Sequence, residues 1–238
     1  MSHFLPVVII PCYNHGAKVG RVVQAAQDQG YSVIVVDDGS DEATRLACDQ
    51  LASPTVTIVH HRRNGGKGAA MITGFQKALA MGYTHALQVD ADAQHDLTQI
   101  NAFFTLAQSH PEHLVIGSPV YDQSVPKARL YGRKITNFWV AIETASLSIP
   151  DALCGFRVYP LQKVAPLLKR PLGQRMTFDP EILVRLVWAG AAVIRAPIRV
   201  TYPEDGISHF HAQDNWALTK MHTMLCVEKL KSLFSRTP

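Results

Sequence analysis

Short apolar runs that end in polar clusters alternate with amphipathic stretches through the first half of the chain. Leu5–Ile10 is apolar apart from the interruption at Pro6 and ends at Pro11-Cys12-Tyr13-Asn14. Ser32–Val36 leads into Asp37-Asp38-Gly39-Ser40, Val56–Val59 is a third run, and Ala86–Val89 ends at Asp90. Leu114–Ile116 gives a fifth. Between these runs, Val19, Val22, Val23 and Ala26 keep the 3.6-residue helical period, as do Met71, Gly74, Phe75, Ala78 and Leu79. Asp96-Leu97-Thr98-Gln99 reads as a capping box opening a helix through Ile100, Phe103, Phe104 and Ala107. Strands without polar alternation, separated by helices, predict an α/β fold: a mainly parallel sheet covered by helices on both faces.

That pattern locates a site. In open α/β sheets ligands bind beyond the carboxyl ends of the strands. Tyr13-Asn14, Asp37-Asp38 and Asp90-Ala91-Asp92 each follow an apolar run directly, so all three are expected on one sheet edge.

The second half predicts fewer elements. Pro126–Ser146 reads as a helix with Ile135, Phe138, Ile142 and Ala145 on one face and Arg129 and Arg133 on another. Phe178–Ala189 reads as a second helix and Ala192–Tyr202 as a strand. Asp214–Phe234 carries Trp216, Met221, Met224, Leu225, Leu230, Leu233 and Phe234 with interspersed lysines. It predicts an amphipathic helix, suited either to a membrane interface or to packing on the domain or a second copy. The expected division is one domain over residues 1–213 and an extension over 214–238.

Composition narrows the class of protein. Of 238 residues, 47% are hydrophobic and 18% charged, enough for a packed core. The formal charge of +4 is too mild to argue for nucleic acid and compatible with a phosphate-rich ligand or an anionic membrane surface. The N-terminus has no basic region followed by a long apolar stretch, and no run of about 18 apolar residues occurs anywhere. The four cysteines are scattered without a CxxC pair and read as reduced thiols. The expected location is the cytoplasm, with peripheral attachment to the inner face of a membrane as the variant that an amphipathic C-terminus allows.

Three clusters carry candidate chemistry. Asp90 and Asp92, one residue apart past a strand, suit a hard divalent cation such as Mg²⁺ or Mn²⁺ shared with substrate phosphates; two solvated turn acids are the alternative. Gln94 and His95 stand just downstream as further donors, or as surface side chains. In Asp37-Asp38-Gly39-Ser40 a carboxylate can accept from a base or ribose, while Ser40 or Asp41 caps the next helix. Arg62-Arg63-Asn64-Gly65-Gly66-Lys67-Gly68 offers backbone N–H groups, a helix N-terminus and Lys67 to a phosphate, or is a flexible basic loop. Neither GxxxxGK[ST] nor GxGxxG occurs, which tells against a Walker loop and a dehydrogenase.

In order, these segments resemble the family 2 glycosyltransferases of the GT-A fold. The matching string is Pro11-x-Tyr13-Asn14, Asp37-Asp38-Gly39-Ser40, Asn64-x-Gly66-Lys67-Gly68, Asp90-Ala91-Asp92-x-Gln94, Gly117-Ser118, Gly155-Phe156-Arg157 and Phe178-Asp179-Pro180-Glu181. The pattern is closest to the dolichyl- and polyprenyl-phosphate sugar transferases and spans about residues 6–206. It implies a Rossmann-like GT-A sheet, a nucleotide-sugar donor, a lipid-linked acceptor, a divalent metal and inversion at the anomeric carbon. It also implies that Pro11, Tyr13, Asn14 and Asp38 border base and ribose, with Asp90 and Ala91 near the nucleotide. Asp92 and Gln94 fall on the metal, and Arg157 on the sugar and acceptor side. Two departures stand out: His15 replaces an acid, and Pro119 replaces an arginine, which moves an expected phosphate contact to Arg129 or Arg133.

A hydroxyl acceptor would want a carboxylate base, for which Asp179 and Glu181 are the candidates unless one of them caps the following helix; a lipid phosphate is already ionised and needs none. Ser208, His209 and His211 match the family's mobile segment after the last strand, or are plain surface residues. A non-catalytic nucleotide-binding module of the same fold is the second reading. A sugar nucleotidyltransferase fits poorly, because Pro11-Cys12-Tyr13-Asn14-His15-Gly16 stands where its glycine-rich loop belongs.

Overall fold

A computed structural model describes residues 3–121, 125, 127–201 and 212–234, the side chains of 127–129, 212, 213 and 233 excepted. Seven strands form one sheet: β1 (Pro6–Cys12), β2 (Ser32–Asp37), β3 (Val56–His60), β4 (His85–Gln88), β5 (Leu114–Tyr121), β6 (Arg157–Pro160) and β7 (Val193–Val200). Their order is β3-β2-β1-β4-β6-β5-β7. The first four are parallel, β6 runs antiparallel to both β4 and β5, and β7 is again parallel to β5. The sheet is therefore mainly parallel, as expected, with one reversed strand that the apolar pattern did not predict.

The central strand shows why apolar runs without alternation were needed. Val7 and Ile9 point into one core layer and Val8 and Ile10 into the other, all fully buried. Helices cover both faces. On one lie α1 (Gly16–Asp28), α2 (Glu42–Asp49) and α4 (Ile100–Ser109), whose buried residues join the Val8 layer; on the other are α3 (Lys67–Ala80), α5 (Lys127–Thr144), the short α6 (Leu161–Val164), α7 (Phe178–Trp188) and α8 (Ala212–Phe234). Strand β7, at the sheet edge, alternates instead: Ala196, Ile198 and Val200 are buried while Arg195, Pro197 and Arg199 face out. A proline with no N–H to give is tolerated on such an edge.

Local signals decide the helix starts. Asp41 caps α2 by accepting from the Thr44 N–H at 2.8 Å. Asp96 accepts from the Thr98 N–H, but it caps a single 3₁₀ turn at Leu97–Gln99, so α4 begins only at Ile100. Three apolar residues of α8, Leu218, Met221 and Leu225, are buried in the α5 side of the core. No helix among the described residues is long and apolar enough to cross a membrane. All four cysteines are free, three of them buried.

Helix α3 rides close over the sheet because Gly74 has no side chain. A Cβ there would stand 2.5 Å from Ile9 Cγ2 on β1. Gly74→Ala should therefore destabilise the fold by about 1–3 kcal/mol through overpacking. Gly132→Ala on α5, where nothing lies within 4 Å, should be neutral or stabilising by up to about 1 kcal/mol. Urea unfolding midpoints check the pair, and equal midpoints would remove the close-approach argument.

Candidate active site

The carboxyl ends of β1, β2 and β4 open into one cavity of about 860 Å³, bounded on the far side by α5 and α8. Pro11, Tyr13, Asp38, Lys67, Asp90, Ala91, Asp92 and Gln94 all line it. Arg133, Asp179, Trp139 and His222 do so from the helices. The three polar clusters thus meet on one sheet edge.

The acids after β2 organise this edge from within. Asp37 accepts from the Ser40 N–H at 3.1 Å and pairs with His60 Nδ1 at 2.8 Å. Asp38 accepts from the Gly65 and Gly66 N–H groups at 2.9 and 2.6 Å and from His61 at 2.7 Å. Two of the backbone donors that the sequence offered to a phosphate, Gly65 and Gly66 N–H, are thus already bound to Asp38. Gly66, at φ 94°, stands at the N-cap just before α3, and its missing side chain lets Gln174 and Arg175 pack against it. Asn14, at φ 56°, does not line the cavity; its side-chain oxygen accepts from the Asp41 N–H and its own N–H donates to Ser40 Oγ.

Lys67, the first residue of α3, is the electrostatic centre. Its Nζ lies 2.8 and 3.0 Å from the two oxygens of Asp90 and 2.9 Å from Asp179 Oδ2. Burial alone would lower the lysine pKa; the two carboxylates reverse that and raise it. Asp179 is held from the other side by Arg157, whose Nη1 is 3.0 Å from Oδ1, and by Gln88 Nε2 at 3.3 Å. Burial pushes the Asp179 carboxyl up, but Lys67 and Arg157 outweigh it and hold the group below the ordinary aspartate range. Asp179 is consequently a weak base. Arg157 is wholly buried, donates to the Cys154 and Ala152 carbonyls at 2.6 and 2.9 Å, and does not reach the cavity.

Glu181 faces elsewhere as well. It accepts from the Gly173 N–H at 2.8 Å and pairs with Arg185 at 2.9 Å. Both it and Asp179 lie inside the first turn of α7, so neither caps that helix. Arg133 lines the cavity with its Nη1 2.8 Å from Asp151, which also accepts from the Tyr121 hydroxyl at 2.7 Å. Arg129 sits in the first turn of α5, and its side chain is outside the described residues, as are Ser208, His209 and His211.

A divalent cation would suit the Asp90–Asp92 turn. Burial, and then the negative charge of Asp90, hold the Asp92 carboxyl above its ordinary range, a penalty that a cation between the two would relieve. Asp92 and the Gln94 side-chain carbonyl would offer oxygen donors of the kind Mg²⁺ and Mn²⁺ take, beside an Asp90 that Lys67 already holds. Among the described residues no three or more His, Cys, Asp or Glu converge on one point, so remaining ligands would come from substrate phosphates. The turn is held in place from β7: Thr201 N–H donates to the Gln94 carbonyl at 3.0 Å and Asp96 N–H to the Arg199 carbonyl at 3.1 Å. Ala93 takes a left-handed φ of 56° within it, a conformation that costs a non-glycine residue about 1–2 kcal/mol.

His95 is buried, lies 3.8 Å from Cys154 Sγ, and burial pulls its pKa down despite the two aspartates nearby. Sequence reasoning missed His222, Trp139 and Tyr121. Tyr121 ends β5, so the strand-end rule would have found it had the strand been drawn to its full length.

A mainly parallel sheet with carboxylates, a lysine and an Asp-x-Asp turn at its edge is the arrangement of a GT-A glycosyltransferase. A family model described as glycosyl transferase family 2 matches residues 7–161, and the chain belongs to that family. It is 28% identical over 214 residues to polyprenol monophosphomannose synthase of Mycolicibacterium smegmatis, covering 85% of this chain and 79% of that one. It is 26% identical over 222 residues to UDP-N-acetylglucosamine–dolichyl-phosphate N-acetylglucosaminyltransferase of Methanococcus voltae, covering 86% and 88%. Among solved structures, mannosyl-3-phosphoglycerate synthase from Rubrobacter xylanophilus shares the fold with a TM-score of 0.69 at 13% identity, over 99% of this chain and 76% of that one.

Gly155 shows how tightly the edge is built. A Cβ there would fall inside the Asp90 carboxylate. Gly155→Ala should displace Asp90 from Lys67 and lower transferase activity by at least about tenfold, with a stability loss of about 1–3 kcal/mol. Steady-state turnover beside urea unfolding tests this, and unchanged turnover would refute it. Asp179 carries a pH signature. Because its folded pKa is depressed, its contribution is fully present above about pH 4, the unfolded value, and is lost as pH falls through the lower folded value. Urea midpoints measured from pH 6 to pH 2 should fall less steeply below pH 4 in Asp179→Asn than in the parent. Parallel curves would show that this carboxylate is not depressed.

Proposed function

We propose that this glycosyltransferase moves a sugar, with inversion, from a nucleoside diphosphate to the phosphate of a polyprenyl-type lipid. The observation that carries the reading is the cavity's pairing of two unlike walls. The sheet edge offers Asp38, Lys67 and the Asp90–Asp92 turn, while α5 presents Ile135 and Trp139, which line the cavity and also belong to an exposed apolar row with Tyr131, Phe138 and Ile142. A donor with a charged diphosphate suits the first wall and an acceptor with a hydrocarbon tail the second. Two relatives whose names specify polyprenol and dolichyl-phosphate products or acceptors support the same choice.

The residues divide the work as follows. Asp92 and Gln94 would hold Mg²⁺ or Mn²⁺, whose charge offsets that of the departing diphosphate. Lys67, on the same edge, adds a fixed positive charge beside it. Pro11, Tyr13 and Asp38 border the nucleotide. The acceptor phosphate is ionised near neutral pH and attacks without a base, which fits an Asp179 already engaged by Lys67 and Arg157. Residues 1–213 form the transferase domain on this reading and 214–238 an extension, of which α8 supplies part of the helical wall. The exposed row on α5, together with Trp216, Met224, Val227 and Leu230 on α8, gives the protein a peripheral face for a membrane surface.

The test is transfer of radiolabelled sugar from GDP-mannose, UDP-glucose or UDP-N-acetylglucosamine to undecaprenyl phosphate in detergent, with Mn²⁺. One donor should label the lipid. EDTA or Asp92→Asn should cut the rate by at least about a hundredfold. Undiminished transfer in EDTA would remove the metal, and labelling of the free alcohol in place of the phosphate would remove the proposed acceptor.

A further inference from the structure

His222 of α8 and Glu143 of α5 form a buried pair that the donor side does not use. Their Nδ1 and Oε1 atoms are 2.8 Å apart, with His222 5% and Glu143 1% exposed. The Trp139 ring stacks on the imidazole, centroids 6.2 Å apart and planes 26° from parallel. The core around the pair is apolar: Leu218, Met221 and Leu225 of α8 are all buried. A helix contact of that kind has no need of an ionisable pair, and apolar residues of similar volume commonly serve stability as well or better.

Among the described residues two atoms of the pair have no hydrogen-bond partner, His222 Nε2 and Glu143 Oε2. A buried polar atom left so is costly, and in a native fold it calls for a reason. The placement of His222 supplies one. It lines the same cavity as the Asp90–Asp92 turn, and Arg133 and Thr136 line it too, from α5. Since Nδ1 is taken by Glu143, Nε2 is the ring nitrogen left for a ligand in the cavity that His222 lines. With Nδ1 engaged by the carboxyl group of Glu143, an N–H at Nε2 is a donor matched to an anionic oxygen. Phosphate is such a group.

We propose that His222 Nε2 donates a hydrogen bond to the phosphate of the lipid acceptor, and that Glu143 is the positioning residue that orients the ring. This rests on the phosphate-acceptor reading above. It adds a hydrogen-bonding contact on the helical wall, on the far side of the cavity from the groups that take the donor's diphosphate.

Binding of farnesyl phosphate and of farnesol to the full chain, each followed by isothermal titration, tests it beside binding of the donor nucleotide. His222→Ala should weaken farnesyl phosphate by about ten- to a hundredfold and leave farnesol and the nucleotide unchanged. Two amides separate contact from scaffolding. In His222→Gln the amide nitrogen reaches the place of Nε2 and should recover most of the phosphate affinity. In His222→Asn it replaces only Nδ1, keeps the link to Glu143, and should not. Glu143→Gln should fall between the parent and His222→Ala. Recovery by asparagine and not glutamine, or equal losses for farnesyl phosphate and farnesol in His222→Ala, would overturn the proposal and leave the pair a structural one. A parent protein that binds farnesyl phosphate no better than farnesol would overturn the phosphate-acceptor reading, and this inference with it. Should His222→Ala fail to fold, the glutamine and asparagine variants decide the matter.

Discussion

The ammonium of Lys67 between Asp90 and Asp179 is the contact on which the site depends. It ties the start of α3, the loop after β4 and the first turn of α7 to one point. Without that charge, two mostly buried carboxylates would face each other beside Asp92, and a third acid so placed could not stay ionised. Arg157 provides the second cation behind Asp179, so the charge is balanced in depth and not only at the surface. The glycines follow from the same requirement. Gly155 makes room for the Asp90 carboxylate, and Gly68 lets the start of α3 pack against Gly173 and Phe178. Electrostatics set the distances, and the small residues permit them.

The two walls of the cavity are built to different standards. On the sheet edge every acidic side chain is held by backbone or by a counter-charge, so the geometry is fixed before any ligand arrives. Asp38 is the clearest case, with donors from two glycine amides and His61. The helical wall is apolar and half exposed, with Ile135 and Trp139 at its mouth and the buried His222–Glu143 pair behind. A rigid polar wall suits a ligand with defined charges, and an apolar wall suits one whose chain is long and variable.

Much of this was legible in the sequence because the first half obeys simple rules. Runs such as Val7–Ile10 have a period and a length that permit few alternatives, and strand-end polar clusters locate an edge without side-chain detail. The hidden element was β6. It is four residues long and opens with Arg157, a charge that reads as surface and is in fact wholly buried. Burial of an arginine depends on Asp179, contributed by a later helix, and on the Cys154 and Ala152 carbonyls turned towards it, none of which periodicity can report. The roles of Asp37 and Asp38 were obscured for the same reason: His60, His61 and the glycine amides that satisfy them sit on β3 and the loop beyond it. His222 carried no motif, because its meaning comes from Glu143 across a helix interface, 79 residues away in sequence.

The reversed strand has a consequence for how the chain assembles. Strands β1 to β4 follow one another within residues 6–88 and pair among themselves, so their half of the sheet closes through short-range contacts. Strand β6 joins β4 only from 69 residues further on, where Arg157 pairs with Gln88. Such distant pairings are slow to form, because loop closure precedes the contacts that reward it. The nucleotide-facing half is therefore expected to take shape as an early unit, while Gln88, Tyr159, Arg157 and Asp179 can interlock only when the second half docks. Lys67 would wait until then for one of its two counter-charges. A nascent or truncated chain would thus carry the right motifs on a formed sheet edge and still lack a finished centre, which makes completion of folding the step that switches the chemistry on.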